Sequence, residues 1–497
     1  MQKLLRLLSI TLCLSFLAIS SWGADLEGKV IEHRLANGMK LLMVERHTSP
    51  TVAAWVRFKV GSVNERSDER GIAHMLEHML FKGTRTIGTK NYAAEVPILK
   101  QIEETAQMLM AEKVKRDKGD QKKIRELTSL LATLQAEDDK YIVPDEYSEI
   151  FSKNGGVGFN AFTAKDTTAY MINLPANKAE LWAAIQADRM LNPVLRQFYT
   201  ERDVVMEERR RSYDAEPAGK LWEDFLAAAF MVHPYGTPVI GWPSDIENLS
   251  RTKAEGFLHR YYAPNNAVVA IIGDINPDET IKLVDRYFAD IPPGTPVPTV
   301  AAVEPEQAGE RRTEVIGDAE PELIIGFHKP TLPNRDDYVF DVIDMLLADG
   351  RTSRLHKKLV EEQQIATEVS TSTVPGSLYP NLFIIGATPR APHTVSEVEK
   401  AIYAELDRLK SEPVSQRELQ RILNNLEAAE IRSMGSNGGL AYRLTEYEAT
   451  AGSWHYFFEH RREVAKVKPE EVMRVAAKYL VRENRTVGVL TKREVSK

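Results

Sequence analysis

The sequence predicts an α+β fold built from two similar, duplicated domains, each a mainly antiparallel sheet with helices. Three observations carry this expectation. Period-two strand patterns are interleaved with helical patterns, without the regular βαβ repetition that a parallel sheet requires. Segment 249–272 lays onto 467–490 at one fixed offset, each a helical run ending in an aromatic residue, then a short polar turn and a β-branched strand. At 497 residues the chain is also too long for a single hydrophobic core.

Residues 1–23 combine Lys3 and Arg6, a short apolar stretch and small residues near the end, which is the pattern of a secretory signal peptide; cleavage is expected after Gly23. The single cysteine, Cys13, lies in that leader, so the mature chain has no thiol or disulfide chemistry and suits an oxidising compartment. A periplasmic location follows. Segments 29–45, 51–63 and 161–174 alternate as strands, with helices expected on one face of the sheet. Between them, 98–112 and 122–134 read as amphipathic helices around the polar turn 116–120, a helical hairpin inserted at about 92–147. The Pro-rich stretch 292–309 reads as a linker, set at 292–312, between a first domain at 24–291 and a second at 313–497. A net charge of -7 without a long basic run excludes a nucleic-acid-binding class. No other segment is apolar and long enough to span a membrane.

The chemistry is concentrated at His74, Glu77 and His78. On a helix, His74 and His78 share a face four residues apart, so both imidazoles can reach one metal ion while Glu77 lies close to the same point. This is a hydrolytic zinc site in outline, in the inverted order of the commoner His-Glu-x-x-His arrangement. A third ligand is expected from 198–211, which reads as a helix. There Glu201 and Glu208 are seven residues apart on one face, and Glu207 points outward.

With these residues in place, the chain resembles the pitrilysin-like metallopeptidase family, the inverted zincins, which also contains insulin-degrading enzyme and the mitochondrial processing peptidase. The matching blocks are GIAHMLEHMLFKG at 71–83, FNAFTAKDTTAY at 159–170, ERDVVMEE at 201–208 and HPYGTPVIG at 233–241. The resemblance implies that His74, His78 and Glu208 hold one zinc ion per chain. It implies that Glu77 is the general base acting on a zinc-bound water, and that Glu201 is an acid behind a ligating imidazole. It also implies that Phe159, Asn160, Ala161, Phe162 and Thr163 form a strand that pairs with an extended peptide, and that the two domains face each other as half of a clamshell.

Two features depart from the family pattern. The separation between His78 and Glu208 is longer than the family generally shows, and the hairpin accounts for the excess. The family pattern would also put an arginine at 360 and a tyrosine at 367, where this chain has Val360 and Thr367. Neither can supply a charged or phenolic donor to a developing oxyanion. The chain therefore looks like the zinc-bearing member of a two-component enzyme, similar to the processing peptidase beta subunit, with a homologous metal-free partner supplying the Arg/Tyr pair. A homodimer is the alternative assembly, and a catalytically inactive scaffold or assembly subunit is the alternative function.

Overall fold

The computed structural model describes residues 26–493, so the expected signal peptide, its cleavage site and Cys13 lie outside the described residues. The first sheet contains β1 (Ile31–Arg34), β2 (Lys40–Glu45), β3 (Thr51–Phe58), β4 (Val157–Thr163), β5 (Thr168–Pro175) and β6 (Ala267–Gly273) in the order β1-β2-β6-β3-β5-β4. The second contains β7 (Arg311–Gly317), β8 (Glu322–Lys329), β9 (Ala366–Val374), β10 (Asn381–Pro389) and β11 (Arg485–Lys492) in the order β7-β11-β8-β10-β9. Among the described residues, only β2 with β6 and β7 with β11 pair in parallel, each to the same neighbour in its sheet. Leaving out β1, the two orders are the same topology drawn twice.

The helices that position the site and the sheets are α1 (Ile72–Met79), α2 (Tyr92–Lys113), α3 (Gln121–Asp138), α4 (Phe198–Arg209), α5 (Pro217–Ala229), α6 (Arg251–Tyr261), α7 (Arg335–Leu347), α8 (Asn437–Thr450) and α9 (Pro469–Tyr479). The duplication is visible at atomic detail. After α6, the Asn266 amide donates to the carbonyls of Tyr261 (2.8 Å) and Lys59 (3.3 Å). After α9, the Asn484 amide donates to those of Tyr479 and His328, both at 2.8 Å. In each half one asparagine therefore ties the end of a helix to the strand it packs beside.

Helices cover both faces of the first sheet, where the sequence reading had expected one. β3 and β6 are buried along nearly their whole length, the signature of strands covered on two sides. One face packs on α1 and its neighbours, through Val56, Ile72, Leu76 and Phe257. The other, through Ala53, Ala270 and Ile272, packs on Leu440, Ala441 and Leu444 of α8, a helix of the second half. The exchange is reciprocal. α5, from the first half, lies on the second sheet, where Gly326 and Gly488 leave room for the fully buried Phe225. A Cβ on Gly326 would stand 2.6 Å from the Phe225 ring. Each half thus contributes a helix to the other's core.

The strand-like segment 29–45 is a hairpin, β1 and β2, turning at Gly38. The helix expected at 98–112 starts earlier, at Tyr92, because Asn91 caps the Ala94 amide and Pro97 is accommodated near the N-terminal end. Residues 292–310 run without regular structure. They are nonetheless pinned: the Glu304 carboxylate accepts the amides of Met231, Val232 and His233 at 2.8–3.0 Å.

Candidate metal centre

α1 starts at Gly71, whose φ of 86° is left-handed and whose missing Cβ lets the backbone approach the Ile240 carbonyl, 2.4 Å from where a Cβ would sit. The helix N-terminus is satisfied from a distance. Buried Glu65 accepts the amides of Gly71 and Ala73, both at 2.9 Å. Burial pushes the Glu65 carboxyl up to about 8, against the pull of those amides and Lys165. Ile72, Ala73, Met75, Leu76 and Met79 anchor one side of α1 in the core. His74, Glu77 and His78 are left on the other.

α4 supplies the rest. His74, His78 and Glu208 form a group whose ligand atoms all lie within 4.8 Å of one another, the only such cluster of His, Cys, Asp and Glu among the described residues. Glu208 sits 3.6 Å from His74 Nε2 and 3.5 Å from His78 Nε2 through its two oxygens. Behind it, Glu201 is 2.9 Å from His78 Nδ1 and 2.5 Å from Lys82 Nζ. An acid in that position fixes the tautomer and leaves Nε2 free for a metal. Glu207 points away and pairs with Arg210 (2.7 and 2.8 Å) and Arg211 (2.8 Å). The guanidinium of Arg209 clamps the end of α4 to Glu223 and the Gly241 carbonyl.

The electrostatics separate the two imidazoles. Burial, then neighbouring His78, lowers His74 to about 4, so it is neutral at pH 7 and able to ligate. Burial would lower His78 as well, but hydrogen bonds to Glu201 and Glu208 raise it to about 9. Glu201 is held down at about 2 because His78 and Lys82 outweigh its burial. Two carboxylates and a proton-rich imidazole converging on one point form an environment that favours a cation. Two nitrogens and a carboxylate on one side match a zinc site with an open position. The donor set fits zinc.

Glu77 lies beside this set, and the hydroxyl of Thr163 donates to its Oε2 at 2.6 Å. Burial raises the Glu77 carboxyl above its ordinary value, with Thr163 pulling the other way. Thr163 ends β4, which has one neighbour, β5, and leaves its outer edge open. Along β4 the side chains alternate. Phe159 packs among Phe81, Tyr147 and Phe151, and Ala161 is buried in the same core. Phe162 faces the other way, against Trp55, Tyr442 and the buried Arg57 guanidinium. Asn160 is exposed at the bulge that follows Val157. In the second half, Val360 is half-buried against the second core, and the exposed Thr367 donates to the Thr388 carbonyl at 3.2 Å.

The sequence-predicted ligands, base and neighbouring acid therefore converge, with one end of the edge strand touching them. Sequence reasoning missed Glu65, Lys82 and the bond from Thr163 to Glu77. Lys82, four residues after His78, had a readable spacing. Glu65 had none.

Comparison with known proteins decides the family. The model for insulinase (peptidase family M16) matches residues 40–99 and 134–242, and that for the peptidase M16 inactive domain matches 248–426. The chain belongs to the pitrilysin-like M16 metallopeptidase family. His74, Glu77, His78, Glu201 and Glu208 all fall in the insulinase match, and residues 100–133 of the α2–α3 hairpin fall in neither. The chain is 27% identical over 455 residues to the zinc protease PqqE of Helicobacter pylori, covering 90% of this chain and 89% of that one. The crystal structure of a protease from Helicobacter pylori matches with a TM-score of 0.78 at 26% identity, over 93% of this chain and 99% of that chain. The periplasmic protease PqqL of Escherichia coli shares the fold at a TM-score of 0.68 and 16% identity, and the match takes up 93% of this M16 chain but 47% of PqqL.

Proposed function

We propose that this M16 chain is a zinc-dependent endopeptidase that cuts peptides or unfolded segments, exported to the periplasm and completed by a second, homologous, metal-free chain. The observation that carries the reading is the convergence of His74, His78 and Glu208 with Glu77 at the end of an open sheet edge. Zinc held by the first three would supply Lewis acidity, polarising a carbonyl and bringing the pKa of a water toward neutrality. Glu77 takes the proton from the attacking water and returns it to the leaving amine. Glu201 holds the His78 ring in place. β4 pairs with the main chain of an extended peptide, which gives affinity with loose side-chain specificity.

The partner follows from what the second half lacks. Val360 and Thr367 offer no charged or phenolic donor, and the loss of one oxyanion donor typically lowers rates by about a hundredfold or more. The match takes up 47% of PqqL, which supports pairing with a second unit of similar size. PqqL is a periplasmic protein by its description, and no described helix of this chain is long and apolar enough to cross a membrane. The competing reading, an inactive scaffold subunit, also draws on Val360 and Thr367.

Size measurement and a fluorogenic assay on an unstructured peptide test both readings, using the zinc-loaded chain with and without its co-purifying partner. The expected result is weak, chelator-sensitive cleavage that rises on assembly. Full turnover from a single-component preparation would remove the partner and keep the peptidase. No cleavage under either condition would leave the scaffold.

A further inference from the structure

α1 fixes the backbone of Glu77 but not the plane of its carboxylate, because the last torsion of a glutamate is broad. That plane is fixed from β4. The Thr163 hydroxyl donates to Glu77 Oε2 at 2.6 Å, and the backbone amide of the same residue also faces the carboxylate. Among the described residues no other side chain hydrogen-bonds to Glu77. Phe159, Ala161 and Thr163 alternate onto one side of β4, so the register that buries the first two against the core also aims the third at α1.

The end of β4 is itself held from three directions. The Ala164 amide donates to the Thr167 carbonyl at 2.8 Å and closes the turn into β5. The amides of Ser62 (3.2 Å) and Val63 (2.9 Å) donate to the carbonyls of Ala164 and Lys165. Asp166, buried in the same turn, accepts the Tyr235 hydroxyl at 2.7 and 2.9 Å and, from the second half, the amides of Ser377 (2.6 Å) and Leu378 (3.1 Å). Tyr235 belongs to the matching block at 233–241, and Asp166 stands three residues after Thr163. Thr163 is therefore placed by both halves of the chain.

We propose that Thr163 is the positioning residue for the general base, holding the Glu77 carboxylate in the orientation that meets the attacking water. β4 pairs with the peptide main chain, so a base fastened to β4 has its distance from the scissile carbonyl set by the strand that holds the substrate. The inference rests on the peptidase reading above. It gives the Thr163 side chain a task separate from strand pairing, which uses only backbone groups.

Steady-state cleavage of the fluorogenic peptide by the zinc-loaded chain with its co-purifying partner tests it, with zinc content measured on the same samples. Thr163→Val keeps the branched shape and the strand preference and removes the hydroxyl. It should lower kcat by about tenfold or more, less than loss of the base itself, while KM stays within about twofold and zinc content is unchanged. Thr163→Ser should bring kcat back to within about threefold of wild type. In a Glu77→Gln background, adding Thr163→Val should cost less than about twofold more, because with the base gone there is no proton transfer for the bond to align. Wild-type kcat in Thr163→Val, a loss confined to KM, a serine variant as slow as the valine one, loss of zinc, or a full further loss in the double variant would each overturn the proposal. Failure of the peptidase reading shows separately, as no cleavage by the wild-type protein, and takes the proposal with it.

Discussion

The two halves of this M16 chain share a topology and differ in what the helix after the second strand of the shared motif carries. In the first half, β3 leads to α1, which presents His74, Glu77 and His78 opposite its buried face. In the second, β8 leads to α7, where Val339, Val342, Ile343, Leu346 and Leu347 fill the core and no imidazole occurs. The edge strands differ in the same way. β4 ends on a threonine bonded to Glu77, whereas Thr367 in β9 bonds only to its neighbouring strand. The fold needs neither the histidines nor the acids, because the same architecture stands without them in the second half. Stability and chemistry should therefore separate under mutation.

The largest expected effect is on folding. Leu346→Ala removes a fully buried side chain of α7 and should cost about 2–5 kcal/mol, read from denaturant unfolding, while zinc affinity stays unchanged. His74→Ala should do the reverse, losing the metal and leaving the unfolding midpoint of the metal-free chain close to wild type. A large loss of metal-free stability in His74→Ala would break the comparison.

Next in size is the third ligand. Glu208→Gln should weaken zinc binding by about a hundredfold or more, beyond what loss of an outer partner costs, whereas Glu207→Gln, which only releases Arg210 and Arg211, should change it by less than about twofold. The opposite ranking in metal titrations would place the ligand one residue earlier. Glu201→Gln sharpens the same point. It keeps all three ligands but loosens His78, and a drop of roughly ten- to a hundredfold in zinc affinity is expected.

The smallest effect belongs to the second half. Asp336 accepts from Arg474 (2.5 Å), Lys478 (3.2 Å) and Tyr479 (2.9 Å), joining α7 to α9. Although burial would raise it, these partners hold its carboxyl below the usual 3.8, at about 2. A depressed folded-state value means stability that is present above the unfolded pKa and lost as pH falls toward about 2. Asp336→Asn should therefore lower the melting temperature slightly at pH 7, and the gap to wild type should close on acidification. Equal melting temperatures of variant and wild type at pH 7 would mean the pairs contribute nothing.

The metal helix was legible in the sequence because its information is local: spacing on one helix face and a second helix with the same spacing of acids. The duplication was legible because α6 to β6 repeats in α9 to β11 residue for residue. The exchange of α5 and α8 between sheets was not, since an amphipathic pattern shows that a face is buried and says nothing about which sheet buries it. Glu65 escaped for a related reason, as its bonds to Gly71 and Ala73 are set by the path of an irregular loop. Val360 and Thr367 could be named from the sequence, but what they touch, the second core and the Thr388 carbonyl, is visible only once the second half is folded.

The most direct test of the account is Glu77→Gln, with zinc content and peptide cleavage measured on the same samples of variant and wild type. All three ligands remain, so both proteins should hold one zinc per chain, and the variant's cleavage rate should fall by about a hundred- to ten-thousandfold. Zinc retained together with cleavage at the wild-type rate would contradict the assignment of Glu77 as the base, and with it the chemistry assigned to this half.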